Sequence, residues 1–198
     1  YSYNMSLMGQ MGRYHMDSAL SPLYEVSGKT PRWVQLNLRA RHYLALQPHW
    51  SLGFESDIML STRGLYHDNY AASVISAPQY TPTPSSYNTF NPDFRANSYI
   101  GIGVVPVYRF NDNLSLRLNA NGFAPLRKIC RDASTPNAAG VCYGQWFADP
   151  QLLCELSAAY TFPFATLSAY ANYCTAPAHN WNFGISFGIF LQAPDFLR

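Results

Sequence analysis

The sequence predicts an all-β protein, an antiparallel transmembrane β-barrel of which about eight strands lie in this chain. Three observations lead there. Apolar and polar residues alternate with a period of two through most of the chain, which sets successive side chains on opposite faces of a strand. The links between these runs are short and long in turn, as when tight turns gather at one rim of a barrel and loops at the other. Charges of both signs share the polar face, while the opposite face is apolar.

The expected strands run over 1–10, 32–46, 50–61, 97–110, 113–126, 150–162, 165–174 and 181–191. The first opens on Tyr1-Ser-Tyr-Asn-Met-Ser-Leu, already alternating, so the chain reads as part of a longer protein. In "WVQLNLRARHYLAL", Val34, Leu36, Leu38 and Ala40 oppose Gln35, Asn37, Arg39 and Arg41. In "WSLGFESDIML", Trp50, Leu52, Phe54, Ile58 and Leu60 oppose Ser51, Glu55 and Asp57. A tight link at Gln47-Pro48-His49, with 46 opposite 50, then sets Arg39 across from Asp57 and Arg41 across from Glu55. Opposite charges facing each other on a ladder stabilise it by about 0.2–1 kcal/mol per pair. Asn111-Asp112 and Pro163-Phe164 are the other tight links. Long or irregular links span 11–31, 62–96 and 127–149, and 175–180 is shorter. In the last strand Trp181, Phe183, Ile185, Phe187, Ile189 and Leu191 share the apolar face.

Which face meets solvent decides between a soluble sheet and a membrane barrel. A soluble sandwich would turn its charges outward, with many Lys and Glu. Here charged residues are only 12% of 198, aromatics are 16%, and all basic residues but Lys29 and Lys128 are Arg. Arginine's planar, multi-donor head suits buried ion pairs. Trp33, Trp50, Tyr108, Phe110, Phe162, Phe164 and Trp181 fall near strand ends, where membrane barrels carry aromatic girdles. The expectation is therefore that Leu36, Leu38, Leu52, Phe54, Leu116, Leu118, Phe183 and Phe187 face lipid. Arg39, Arg41, Glu55, Asp57, Arg109 and Arg117 are expected to form an ion-pair network in the lumen. No apolar run approaches the ~18 residues of a membrane helix. The net charge of +2 argues against a nucleic-acid partner.

Three stretches carry a resemblance. "APQYTPTPSSYNTFNPDFRANSYIGIG" (Ala77 to Gly103), "NGFAPLRKI" (Asn121 to Ile129) and "NWNFGISFGIFL" (Asn180 to Leu191) resemble the C-terminal barrel region of patatin-like phospholipases of the Bacteroidota. The likeness is densest over 77–129 and diffuse over 1–31. It implies a bacterial outer-membrane protein with an N-terminal Ser-Asp lipase domain and a barrel of the bacterial surface antigen type, with about sixteen strands. This chain would form one domain, the second half of that barrel. It would anchor, and export or display, the lipase. Its partners would be membrane lipids, the rest of the barrel and the lipase domain, with a homo-oligomer or larger outer-membrane complex as an assembly. The parent would hydrolyse lipid esters, while this chain carries no lipase motif and no residue to which a family catalytic role transfers. The alternative is a self-contained eight-stranded outer-membrane barrel with a structural or adhesion role.

Other features bear on chemistry. Gly184-Ile185-Ser186-Phe187-Gly188 matches G-x-S-x-G, but a nucleophile elbow needs a following helix and a downstream histidine, so Ser186 reads as a strand residue. Cys130 and Cys142 flank a loop and suit a disulfide in an oxidising compartment. Cys154 and Cys174 flank the Pro163-Phe164 turn, which opposes 154 to 173 and turns the two sulfurs to opposite faces. His15, His42, His49, His67 and His179 are scattered, so no metal or cofactor is expected. Glu55, Asp57 and Glu155 read as ion-pair partners of the arginines rather than as acid–base groups. The Tyr- and Pro-rich segment 78–94 reads as a stiff surface loop rather than a peptide or glycan site.

Overall fold

The computed structural model describes residues 2–13, 32–66, 69–87, 90–134, 140–175 and 180–189. Its strands are β1 (Ser2–Arg13), β2 (Arg32–Gln47), β3 (Trp50–Ser61), β4 (Tyr99–Arg109), β5 (Leu114–Pro125), β6 (Arg127–Asp132), β7 (Gly140–Trp146), β8 (Gln151–Thr161), β9 (Ala165–Cys174) and β10 (Trp181–Ile189). Eight of them form one antiparallel sheet in the order β1-β2-β3-β4-β5-β8-β9-β10. Strands β6 and β7 form a separate two-stranded ribbon within the predicted loop 127–149. The outer strands β1 and β10 do not pair with each other, so the sheet is not closed. No helix among the described residues is long and apolar enough to cross a membrane, which says nothing of crossing by strands. The extension of the last strand to 191, and His15, His67 and His179, lie outside the described residues.

Register follows from the turns. Pro48 and His49 form a two-residue turn, and Gln47, not Leu46, opposes Trp50. An irregularity between Ala45 and Gln47 absorbs the difference, and Ala45 still pairs with Ser51. The pairs Arg39↔Asp57 and Arg41↔Glu55 follow down the ladder. At the β4–β5 turn, Asn111 Oδ1 accepts the backbone N–H groups of Asn113 at 2.9 Å and Leu114 at 2.7 Å. This side-chain closure explains why an Asn starts the turn. At the β8–β9 turn Phe162 N–H donates to Ala165 at 2.7 Å, and Cys154 falls opposite Tyr173.

The sheet has two unlike faces. One transverse row reads Leu7, Leu38, Ile58, Ile100, Ala124; another reads Leu118, Leu156, Ala171, Phe183. On this apolar face Phe183 is 73% exposed and Ile185 77%. Leu36, Phe54, Leu118 and Phe187 are exposed there too, with Leu38, Leu52 and Leu116 half-buried. The side chains at one end crowd into an aromatic cluster: Trp50 packs on Tyr108 at 4.9 Å between ring centroids, Tyr108 on Phe110 at 4.8 Å, and Phe162 on Phe164 at 6.1 Å.

The other face is covered, and what covers it is the segment between β3 and β4. This segment contains α1 (Tyr70–Ser76), α2 (Pro84–Tyr87) and a 3-10 turn (Pro92–Phe94). Tyr80, Phe94 and Ala96 from it pack with Met59, Tyr99, Phe123, Leu153 and Cys174 of the sheet. Segment 78–94 is therefore not a surface loop: Tyr80, Thr83, Ser85, Ser86 and Phe94 are all buried. Gly101 on β4 makes the approach possible, because a Cβ there would collide with the Tyr80 ring. Helix α1, capped by Asn69, packs Val74 and Ala77 against Ile129 of the ribbon.

Candidate functional site: the covered polar face

The polar side chains of β2, β3 and β5 converge beneath the inserted segment. Asp57 is 4% exposed and sits at the centre of one cluster. Arg39 donates to its Oδ2 from Nη2 at 2.7 Å and from Nε at 3.1 Å, while Asn37 Nδ2 donates to Oδ1 at 2.5 Å. Glu55 anchors a second cluster. Its Oε1 lies 3.5 Å from Arg41 Nε and 3.4 Å from Arg117 Nη2, and accepts the Tyr43 hydroxyl at 3.0 Å. Arg117 is steadied in turn by Asn119 Oδ1 at 2.9 Å. Two buried carboxylates thus serve three half-buried guanidiniums, and charge-assisted hydrogen bonds there outweigh neutral ones.

The inserted segment is tied into this network. Arg39 Nη1 reaches the Tyr87 hydroxyl at 3.4 Å. The Ser85 hydroxyl donates to Glu155 Oε2 and accepts from Asn172 Nδ2 at 3.0 Å. Burial pushes the Tyr80 phenol above its ordinary value, and the nearby carboxylates of Asp57 and Glu55 push the same way.

The structure brings together Arg39, Arg41, Glu55, Asp57 and Arg117 of the expected network and leaves Arg109 out. Arg109 ends β4 on the tight-turn rim, where its backbone N–H donates to His49 O at 2.8 Å, its side chain exposed. It shares the polar face by parity but lies beyond the carboxylates. Glu155 is the second correction. It is 3% exposed, yet among the described residues no cation reaches ion-pair distance, and its partner is a serine of the inserted segment. The sequence clue was Gly101 beside Tyr99: a glycine on this face marks a close neighbour, here the Tyr80 ring.

Cys130 and Cys142 are direct cross-strand partners in the β6–β7 ribbon, as free thiols, each nearest a backbone carbonyl. Cys174 is buried under the inserted segment, whereas Cys154 is on the apolar face. Ser186 sits on the edge strand β10 opposite Ser168, its hydroxyl without a hydrogen-bonding partner among the described residues. Gly184 is overlaid by the Tyr170 ring of β9 and so belongs to cross-strand packing, while the space above Gly188 is open. No group of three or more His, Cys, Asp or Glu among the described residues could hold a metal ion. No family model, curated protein or solved structure matches the chain.

Proposed function

We propose that this chain is part of an outer-membrane β-barrel that anchors, and exports or displays, a patatin-like lipase domain carried elsewhere in the same protein. One observation carries the membrane reading. The six inner strands of the sheet turn an exposed apolar face to one side and a largely covered polar face to the other, with ion pairs joining β2, β3 and β5. Water rewards the opposite arrangement, whereas lipid outside a barrel rewards this one. The aromatic clusters at the tight-turn end sit where a membrane interface would hold them.

The sheet edges favour a larger barrel over a self-contained one of eight strands. Strands β1 and β10 are unpaired with each other, and the inserted segment fills the polar side. An eight-stranded barrel has room inside for little more than its own side chains. A ring that encloses helices α1 and α2 needs further strands, which the rest of the protein would supply. The lipase itself rests on the resemblance alone.

The test is insertion of the full-length protein into liposomes. The folded form should show heat-modifiable electrophoretic mobility, and Leu118→Arg should lower its folding free energy by about 2–4 kcal/mol. A Leu118→Arg protein that folds as well in lipid as the parent would rule out a lipid-facing β5. Removal of the upstream lipase domain should abolish ester hydrolysis and leave the barrel folded.

A further inference from the structure

The apolar face is not level. Between β4 and β8 it contains a groove of about 510 Å³, lined by Ile100, Ile102, Gly122, Ala124, Pro150 and Leu152. Its floor is β5, whose outward residues here are small, whereas Leu116 and Leu118 lower on the same strand fill the surface. A Cβ at Gly122 would meet only Ile102 Cγ1, at 3.9 Å, so the space above it is open. Beyond Gly122, Ala120 continues the strip between Val104 and Cys154. From Ala120 to Ala124 is ~14 Å at the rise of a strand. At the ~35–45° tilt of barrel strands this is ~10–11 Å of depth, about a third of the ~30 Å hydrocarbon core and within one leaflet.

The mouth of the groove opens at Asp149 and Thr175 on the loop rim. Its one carboxylate is already held, since Lys128 bridges Asp149 and Asp93. Beside it Trp146 and Phe147 are exposed, and Phe147 N–H donates to Leu126 O at 3.0 Å, which ties them to the root of β6. Arg127 follows at once. Its guanidinium lies over the rings of Tyr143 at 4.7 Å and Trp146 at 5.6 Å, and its other polar contact among the described residues is Gly144 O at 3.5 Å. Arg131, two residues beyond Ile129, stacks on Tyr70 at 4.6 Å. A guanidinium held flat on a ring keeps its N–H edge for an oxyanion. Among the described residues neither arginine has a carboxylate in ion-pair reach.

Resting on the membrane reading above, we propose that this groove binds one acyl chain of a membrane phospholipid whose anionic phosphate headgroup is held at the rim by Arg127, with Arg131 beyond it. The groove supplies chain contacts that a level surface lacks. The arginine supplies the headgroup preference. An apolar gap left unfilled in a bilayer forfeits its contacts on one side, so a chain resident there is favoured over a passing one.

The experiment uses the full-length protein folded in detergent and offered phosphatidylglycerol or phosphatidylcholine, with retained lipids counted by native mass spectrometry. The parent should retain one phosphatidylglycerol. Gly122→Leu fills the open space and should weaken retention of both lipids by roughly tenfold or more, about one step of 1.4 kcal/mol. Arg127→Gln should cut phosphatidylglycerol retention several-fold and that of phosphatidylcholine by less, because the choline cation offsets the charge of its phosphate. Heat-modifiable mobility verifies that each variant is folded. Unchanged retention in folded Gly122→Leu overturns the proposal, as does an Arg127→Gln effect equal for both lipids. Loss of an oligomer on Gly122→Leu, with no lipid retained by the parent, would assign the groove to a second copy and also overturn it. A parent that enters neither detergent nor bilayer removes the membrane reading itself, a failure visible before any lipid is counted.

Discussion

The Arg39–Asp57 pair offers the most direct test of the covered face. Asp57→Asn keeps the shape of the side chain and removes its charge. The carboxylate receives three hydrogen bonds, two from Arg39 and one from Asn37. Side-chain exposure is 6% for Asp57 and 29% for Arg39, so the pair lies between two limits. Breaking a fully buried pair costs ~3–5 kcal/mol, and an exposed pair is worth ~0.2–1 kcal/mol. With the arginine nearly a third exposed, solvent screening brings the expected loss to about 2 kcal/mol. Urea unfolding of the full-length protein in micelles, followed by tryptophan fluorescence, reads this as a lower midpoint at unchanged slope. A double-mutant cycle with Arg39→Gln separates the pair from the two singles and should give a coupling of about 1–2 kcal/mol. The coupling should survive 1 M salt, where the screening length is ~3 Å, because the carboxylate is out of water. A coupling below ~0.3 kcal/mol, or one that vanishes with salt, would refute the claim that this face is enclosed.

Three further outcomes are expected. Gly101→Val drives a side chain into the Tyr80 ring and should destabilise the protein by about 1–3 kcal/mol, with faster proteolysis within 78–94 as the readout. Under non-reducing conditions, peptide mapping should find Cys130 joined to Cys142 and both Cys154 and Cys174 unbonded; a loop of this size adds about 3 kcal/mol in the chain-entropy model. Ser186→Ala should leave ester hydrolysis and fluorophosphonate labelling of the full-length protein unchanged, and loss of labelling in a folded mutant would return "GISFG" to the hydrolases.

The strands were legible because alternation is a local signal. Each side chain's face follows from its neighbours two positions away, and register follows from turn length together with any bulge, here a two-residue turn whose irregularity between Ala45 and Gln47 restores the pairing of a three-residue one. That is why Arg39 and Asp57, or Cys154 and Tyr173, could be set opposite each other from the sequence. The inserted segment was illegible for the converse reason. Its prolines, serines and tyrosines have the composition of an exposed loop, and only the contact of Tyr80 with Gly101, distant in sequence, shows that it is buried. Glu155 was misassigned with it, since its partner Ser85 lies on that segment. The ribbon β6–β7 escaped because its short alternating runs pack on α1, which had no helical period of its own to announce it.

The path of the chain through β3, the inserted segment and β4 sets an order of events in folding. Three ladders of the sheet, β2–β3, β4–β5 and β8–β9, close through a tight turn, β9–β10 closes through the short link 175–180, and the β5–β8 seam is shortened by the ribbon, itself a hairpin. The β1–β2 seam closes around residues 14–31, and the β3–β4 seam around the longest link, 62–98. Against a two-residue turn, that closure costs roughly 2–3 kcal/mol of chain entropy, so pairing there should be slow until Tyr80 and Phe94 find the sheet. In a barrel completed by further strands, the segment would have to dock while β1 and β10 are still apart. A ring closed early would trap it outside, with Glu155 facing an empty interior.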